Sequence, residues 1–264
     1  MSQKNIPQVP DQPEFYDWMY HKTDKDIAMY LTLTEGHAEI LECAVGTGRL
    51  AIPLAQSGRI VHGVDYSEAM LNKCRANLQA QSVKVKNNIQ LYQGDMRDFR
   101  LDKKFSFVFI PFASIVYLLT IEEQQACLLT LKEHLADGGT LVIDYPTWAE
   151  ATDEHWLTND SLLRKEKQMH HPQTGKLIEM WTQNRFDAST QILEQDRHFR
   201  TYAENGDLEG EKMVLWRSRI FATGEFRLLL ETCGLKIEKL YGDFNFGDYN
   251  HHIEVAVAVI KPIA

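Results

Sequence analysis

From residue 39 onward, short apolar runs alternate with segments whose apolar positions recur at helical spacing. Residues 39–43, 60–64, 89–92, 105–110 and 140–144 read as strands, almost continuously apolar rather than alternating. Residues 50–55, 68–79 and 121–135 read as helices between them. Ser67 is the expected N-cap of the second, with Glu68 in its first turn. Asp137-Gly138-Gly139 is the expected stop of the third. Five apolar strands separated by helices imply a parallel sheet covered on both faces. Ahead of it, Phe15, Trp18, Met19, Ile27, Tyr30 and Leu31 predict two short helices within residues 14–33, broken near His21-Lys22-Thr23. Residues 1–13 are polar and contain prolines, which predicts a loose arm.

The pattern changes after Tyr145. Residues 161–217 alternate polar and apolar positions, with turn signals at Pro172-Gln-Thr-Gly175 and Asn205-Gly206. This predicts a small antiparallel sheet, so residues 146–218 are read as an inserted cap. The α/β pattern then resumes, with a helix over 223–232, a strand over 235–241, a loop, and a last strand over 253–260. Two strands joined by a loop alone form an antiparallel hairpin, which brings the main sheet to seven strands. The main domain is thus expected over residues 14–145 and 219–261.

Composition narrows the function. The chain has 264 residues and a net charge of −9, from 28 Lys and Arg against 37 Asp and Glu. That length supports a large domain with a buried core. No basic stretch is present for phosphate contacts, so nucleic acid is not an expected partner. Cys43, Cys74, Cys127 and Cys233 are far apart and form no CxxC pair, which argues against a disulfide scaffold or a zinc knot. The most apolar stretch, 105–119, is short for a membrane span and is interrupted by Pro111 and Ser114. The first residues lack an apolar core, so no secretory signal is expected, and a cytoplasmic location follows.

The sharpest local feature is Leu41-Glu-Cys-Ala-Val-Gly46-Thr-Gly48-Arg-Leu-Ala51. Glycines at a strand-to-helix turn let backbone approach a ligand closely, and the helix start favours an anionic group. Gly46-x-Gly48-x-x-Ala51 also fits a loose dinucleotide fingerprint, with Asp65 where a ribose-binding acid belongs. A nicotinamide-dependent oxidoreductase is therefore one reading. A second acid, Asp95, closes the third strand. A glycine loop, Asp65 and Asp95 then sit at three successive strand ends, on the carboxyl edge where such sheets bind ligands. One carboxylate can accept two ribose hydroxyls and another an adenine amine.

These segments resemble the class I S-adenosylmethionine-dependent methyltransferases. Glu42 to Gly48 is similar to that family's first motif, and Val64-Asp-Tyr-Ser-Glu-Ala-Met70 to the segment after its second strand. Gln93-Gly-Asp-Met-Arg-Asp-Phe99 is similar to the adenine-side motif, and Phe107-Val-Phe-Ile-Pro-Phe112 to the fourth-strand motif. The Tyr16-Asp-x-x-Tyr20 segment and the inserted sheet resemble the small-molecule branch that contains glycine and amino-sugar N-methyltransferases. The resemblance implies a Rossmann-like doubly wound seven-stranded sheet and S-adenosylmethionine as cofactor, with S-adenosylhomocysteine as product. It implies that Ala44, Gly46 and Gly48 line the methionine portion and Asp65 meets the ribose. Tyr66 and Met70 would flank the adenine, Asp95 and Met96 its amine edge, and Phe112 and Tyr117 the reacting centre. Tyr16 and Tyr20 would close over the cofactor.

The implied reaction is in-line methyl transfer to a small-molecule amine or hydroxyl. A sulfonium methyl is already electrophilic, so alignment and water exclusion matter most. Asp144-Tyr145-Pro146 has no second acid close by, so no metal is expected. Tyr16 and Tyr20 are candidate catalytic residues, near the sulfonium or in plain packing. Among His155, His170, His171, His198, His251 and His252, His198 is the favoured base because it alternates with Arg200 and Tyr202 on one strand. Trp148, Trp156, Trp181 and Trp216 line a substrate pocket or form the core of the insert. A homodimer is compatible with the sequence, which does not set the oligomeric state.

Overall fold

The structure is a computed structural model that describes residues 13–20, 24–153, 156–159, 161–171, 174–250 and 253–263. Residues 1–12, 21–23, His155, Pro172, His251 and His252 lie outside the described residues, and the expectations placed on them with them. Helices α1 (Pro13–Tyr20) and α2 (Lys25–Leu33) lead into β1 (Glu39–Cys43), α3 (Ala51–Gln56), β2 (Ile60–Asp65), α4 (Glu68–Gln79), α5 (Val83–Asn87) and β3 (Ile89–Gln93). Strand β4 (Phe105–Ile110), a 3-10 turn at Ser114–Tyr117, α6 (Ile121–Glu133), β5 (Leu135–Pro146) and α7 (Trp148–Asp153) follow. Next come β6 (Arg164–His170), β7 (Leu177–Asp187), β8 (Ile192–Tyr202) and β9 (Leu208–Arg219). The chain closes with α8 (Thr223–Thr232), β10 (Leu235–Tyr241) and β11 (Val255–Pro262).

Seven strands form one sheet in the order β10-β11-β5-β4-β1-β2-β3. Strands β1 to β5 run parallel, and β11 runs antiparallel to both β5 and β10. The chain winds outward from β1 to β3, then crosses back to lay β4 on the other side of β1. That reversal puts the ends of β1, β2 and β4 around one crevice. Apolar residues cover both faces. Leu41, Cys43 and Ile110 pack toward α6 and α8, with Leu128, Leu131, Phe226 and Leu230. Ile40, Val61 and Phe109 pack toward α2, α3 and α4, with Met29, Tyr30, Leu54 and Leu71. This two-sided burial is why the strands read as continuous apolar runs.

Strands β6 to β9 form a separate antiparallel sheet. Its inward face carries Ile178, Met180, Phe199 and Val214, against which Met19 of α1 packs. The same face continues as a buried polar row, Thr182, Asn184, Gln195 and Arg197.

Two local expectations need correction. Helix α6 stops at Glu133, and Asp137-Gly138-Gly139 lies inside β5. The Phe105 amide donates to the His134 carbonyl (2.8 Å), and Leu135 pairs with Phe105, so strand pairing captures the chain before the glycines. The glycines serve a register shift between Phe105 and Phe107 instead. The last strand runs Val255–Pro262 rather than 253–260, because its far end stays paired with β10 as far as Leu235↔Pro262.

Candidate functional site

The loop after β1 turns through left-handed backbone at Ala44 (φ 65°), Gly46 (φ 56°) and Gly48 (φ 83°). A Cβ at Gly46 would meet open space, whereas one at Gly48 would lie 2.6 Å from the Cys74 Sγ. The loop is tied to the end of β2. The Gly46 amide donates to Asp65 Oδ2 (2.7 Å), and the Ser67 amide donates to Oδ1 (2.9 Å). Burial pushes the Asp65 carboxyl above its ordinary value, against the opposing pull of these two amides. Two acceptor positions of Asp65 are thereby filled and the rest remain for a ligand. Asp95 sits at the end of β3, held by the Arg97 guanidinium and backbone amide, which keep its carboxyl below the ordinary range.

A cavity of about 260 Å³ brings together Tyr16, Ala44, Gly46, Asp65, Tyr66, Met70, Asp95, Met96 and Tyr117. The sequence spreads these residues over five segments, and the carboxyl edge of the sheet joins them. Gly48 stands just behind, shaping the turn. A polar rim of two carboxylates, open space above Gly46 and a buried Met70 fit a ligand with a ribose, an adenine and a charged tail.

A second cavity of about 720 Å³ lies between the two sheets. Tyr20, Phe112 and Tyr117 line it, as do Trp216, Arg197 and Gln195 of the smaller sheet. Tyr117 belongs to both cavities and separates them. Phe112 and Ala113 both have left-handed backbone (φ 56° each), an uncommon state for residues with a Cβ. Asp144 holds them there, accepting from the Phe112 amide (2.9 Å), the Ala113 amide (2.7 Å) and the Tyr30 hydroxyl (2.6 Å). Burial outweighs these three donors and raises the Asp144 carboxyl to about 6. Asp144 is thus committed to the turn that aims Phe112.

Helix α1 spans the junction of the cavities. The Tyr20 ring packs edge-on against Phe112 (4.8 Å) and Tyr16 (5.0 Å). Arg49 stacks over Phe112 (4.5 Å), hydrogen-bonds Tyr16, and donates both terminal nitrogens to buried Asp26 (2.8 and 2.5 Å). Arg49 and Asp26 were not singled out from the sequence. Their pairing crosses from α2 to the glycine loop and leaves no local pattern.

His198 does not join the site. Along β8, Leu193, Gln195, Arg197 and Phe199 face inward, and His198 takes the opposite parity. Its Nδ1 meets Glu211 (3.1 Å) on the outer face, so the expected role as base is withdrawn. The apolar Leu193 and Phe199 were the signal that marks the inward parity, and they pick out Arg197. The tryptophans divide. Trp156 and Trp216 line the larger cavity, Trp148 packs on Phe186, and Trp181 donates to Glu179 and faces Arg200 outside. Among the described residues, no cluster of three His, Cys, Asp or Glu side chains converges as a metal site. No described helix is long and apolar enough to cross a membrane.

Comparison with known proteins gives the site its context. The family described as "Methyltransferase domain" matches residues 40–139, which hold the glycine loop, Asp65, Asp95 and Phe112. A dTDP-3-amino-3,4,6-trideoxy-alpha-D-glucopyranose N,N-dimethyltransferase of Streptomyces venezuelae is 28% identical over 88% of this chain and 93% of its own. The solved structure of the CcbJ methyltransferase from Streptomyces caelestis is similar at a TM-score of 0.72 and 26% identity, covering 91% of this chain and 90% of that one. An S-adenosylmethionine-dependent methyltransferase from Clostridium acetobutylicum shares the fold at a TM-score of 0.77 and 15% identity, over 95% and 97% of the two chains. The oxidoreductase reading gains no support from these comparisons.

Proposed function

We propose that this chain, a class I S-adenosylmethionine-dependent methyltransferase acting on a small molecule, takes as its acceptor an amine bound in the larger cavity. Bound cofactor supplies an activated methyl group. The observation that carries the reading is the shared wall at Tyr117: the smaller cavity, lined by Asp65 and Asp95, and the larger one meet there. In this proposal Asp65 accepts the ribose hydroxyls, Asp95 and Met96 meet the adenine amine edge, and Tyr66 and Met70 flank its ring. Ala44 and Gly46 border the methionine portion, while Gly48, whose missing Cβ would face Cys74, shapes the turn behind them. Tyr16, Tyr20 and Phe112 form an aromatic collar at the junction, where π density favours a cation and apolar edges exclude water.

An amine fits this site better than a hydroxyl. A hydroxyl needs a base, and the junction carboxylate, Asp144, is occupied by three donors. An amine needs only to arrive neutral. The N-methyltransferase activity of the Streptomyces venezuelae relative supports the same choice. The experiment is a mass-spectrometric screen of matched amines and alcohols with S-adenosylmethionine. Methylated amines with unreacted alcohols are expected, and the reverse would overturn the proposal. Replacing Tyr20 with Phe should lower turnover more than cofactor affinity, and unchanged turnover would reduce Tyr20 to packing. A cytoplasmic location belongs to the same proposal, supported by the four free, buried cysteines, which suit a reducing compartment. Pairing of two copies, if it occurs, is read by sedimentation equilibrium.

A further inference from the structure

Two arginines are buried in the described structure, Arg197 and Arg219, and a third, Arg49, is largely so. Arg49 pairs with Asp26, and Arg219 pairs with Glu225 and also reaches Gln124 and Gln191. Arg197 differs. It lines the larger cavity, is only 9% exposed, and has no carboxylate partner among the described residues. Its Nη2 donates to the Gln195 side-chain oxygen (2.6 Å), its plane lies on the Trp216 ring (3.6 Å), and its Nε has no hydrogen-bond partner. Gln195 is itself held by Asn184 (2.9 Å), so the guanidinium is fixed in direction.

A second unpartnered donor stands beside it. Thr182 pairs with Arg197 across β7 and β8, lines the same cavity, and is buried with its hydroxyl unpartnered. A buried cation without a counter-charge is strongly unfavourable, and an unpaired hydroxyl adds to that. Both costs vanish if a ligand brings the missing acceptors. A flat guanidinium with free edges matches the two oxygens of a carboxylate or phosphate. The location is suited to an acceptor, because Trp216 under Arg197 also packs on Tyr117 (5.3 Å), the wall shared with the cofactor cavity.

We propose that the acceptor carries an anionic group, a carboxylate or a phosphate, which Arg197 and Thr182 bind on the acceptor side of Tyr117. This rests on reading the larger cavity as the acceptor site. Specificity then comes from the anion, and neutral molecules of similar shape are discriminated against because they leave Arg197 unpaired.

The test uses the full chain saturated with S-adenosylhomocysteine. Thermal unfolding is followed while phosphate, acetate or chloride is raised at constant ionic strength. Wild type should show a saturable rise in Tm with phosphate or with acetate over chloride, and the anion that acts identifies the source. Arg197→Met, which keeps the stem on Trp216, should lose that rise and should be at least as stable as wild type in chloride alone. Thr182→Val should weaken the rise severalfold and serves where the arginine variant fails to fold. No anion-specific rise in wild type, or an equal rise in both variants, overturns the proposal. S-adenosylhomocysteine affinity, measured separately by calorimetry, should stay within twofold in both variants. Loss of that binding in wild type would instead strike the methyltransferase reading.

Discussion

Substituting Gly48 by Ala tests the path of the glycine loop. The new methyl would sit 2.6 Å from Cys74 Sγ, on a buried side chain of α4, while Ile52 would remain at an ordinary 3.5 Å. Overpacking of this kind costs about 1–3 kcal/mol. The left-handed backbone (φ 83°) adds roughly 1–2 kcal/mol for any residue with a Cβ. Gly46→Ala is the control, because it faces open space and should show only the backbone cost. Cys74→Ala removes the obstructing sulfur. The double variant Gly48→Ala/Cys74→Ala should then recover the steric part, a coupling of about 1–3 kcal/mol. Urea unfolding midpoints of the four proteins give this cycle directly. Additive effects within roughly 0.5 kcal/mol would refute the reasoning, since the loop would not pass where Cys74 constrains it.

Three further outcomes are expected. Asp65→Ala should weaken S-adenosylhomocysteine binding by roughly 1–3 kcal/mol, as a polar ligand group loses its partner; unchanged calorimetric affinity would misassign the motif. Because Asp65 must be ionised to accept two hydroxyls and burial raises its carboxyl, affinity should fall on acidification, starting above the usual carboxylate range. Asp65→Asn should flatten that pH profile, and an identical profile would refute the assignment. Arg49→Met should cost about 3–5 kcal/mol, because it leaves Asp26, 1% exposed, as an unpaired buried charge; Arg49→Met/Asp26→Leu should regain most of that in urea unfolding, and a loss below about 1 kcal/mol in the single variant would contradict the pairing.

Much of the fold was legible in the sequence because parallel strands buried on both faces leave apolar runs that periodicity detects. Thr223–Thr232 and Leu235–Tyr241 fall where the pattern placed them, and Ser67 caps α4 through the Met70 amide (3.3 Å). The glycine loop, Asp65 and Asp95 were legible for a different reason. Each ends a strand, and topology alone sends such ends to one edge. What stayed hidden depended on contacts far apart in sequence. Asp144 clamps the Phe112–Ala113 turn across the sheet, and the Thr182–Arg197 pair requires the register of β7 on β8. His198 was misread because period-2 alternation gives two faces without saying which is inward. Ala44 shows the opposite case. Its backbone is left-handed (φ 65°) although the residue carries a Cβ, and nothing in the sequence pattern marks that.

The central claim is that the cavity at the carboxyl edge holds S-adenosylmethionine, and calorimetric titration with S-adenosylhomocysteine, with NADH as control, tests it most directly. The account predicts saturable one-to-one binding of S-adenosylhomocysteine at about micromolar strength, near −8 kcal/mol, and no heat from NADH. Binding of NADH, or no binding of S-adenosylhomocysteine, would contradict it.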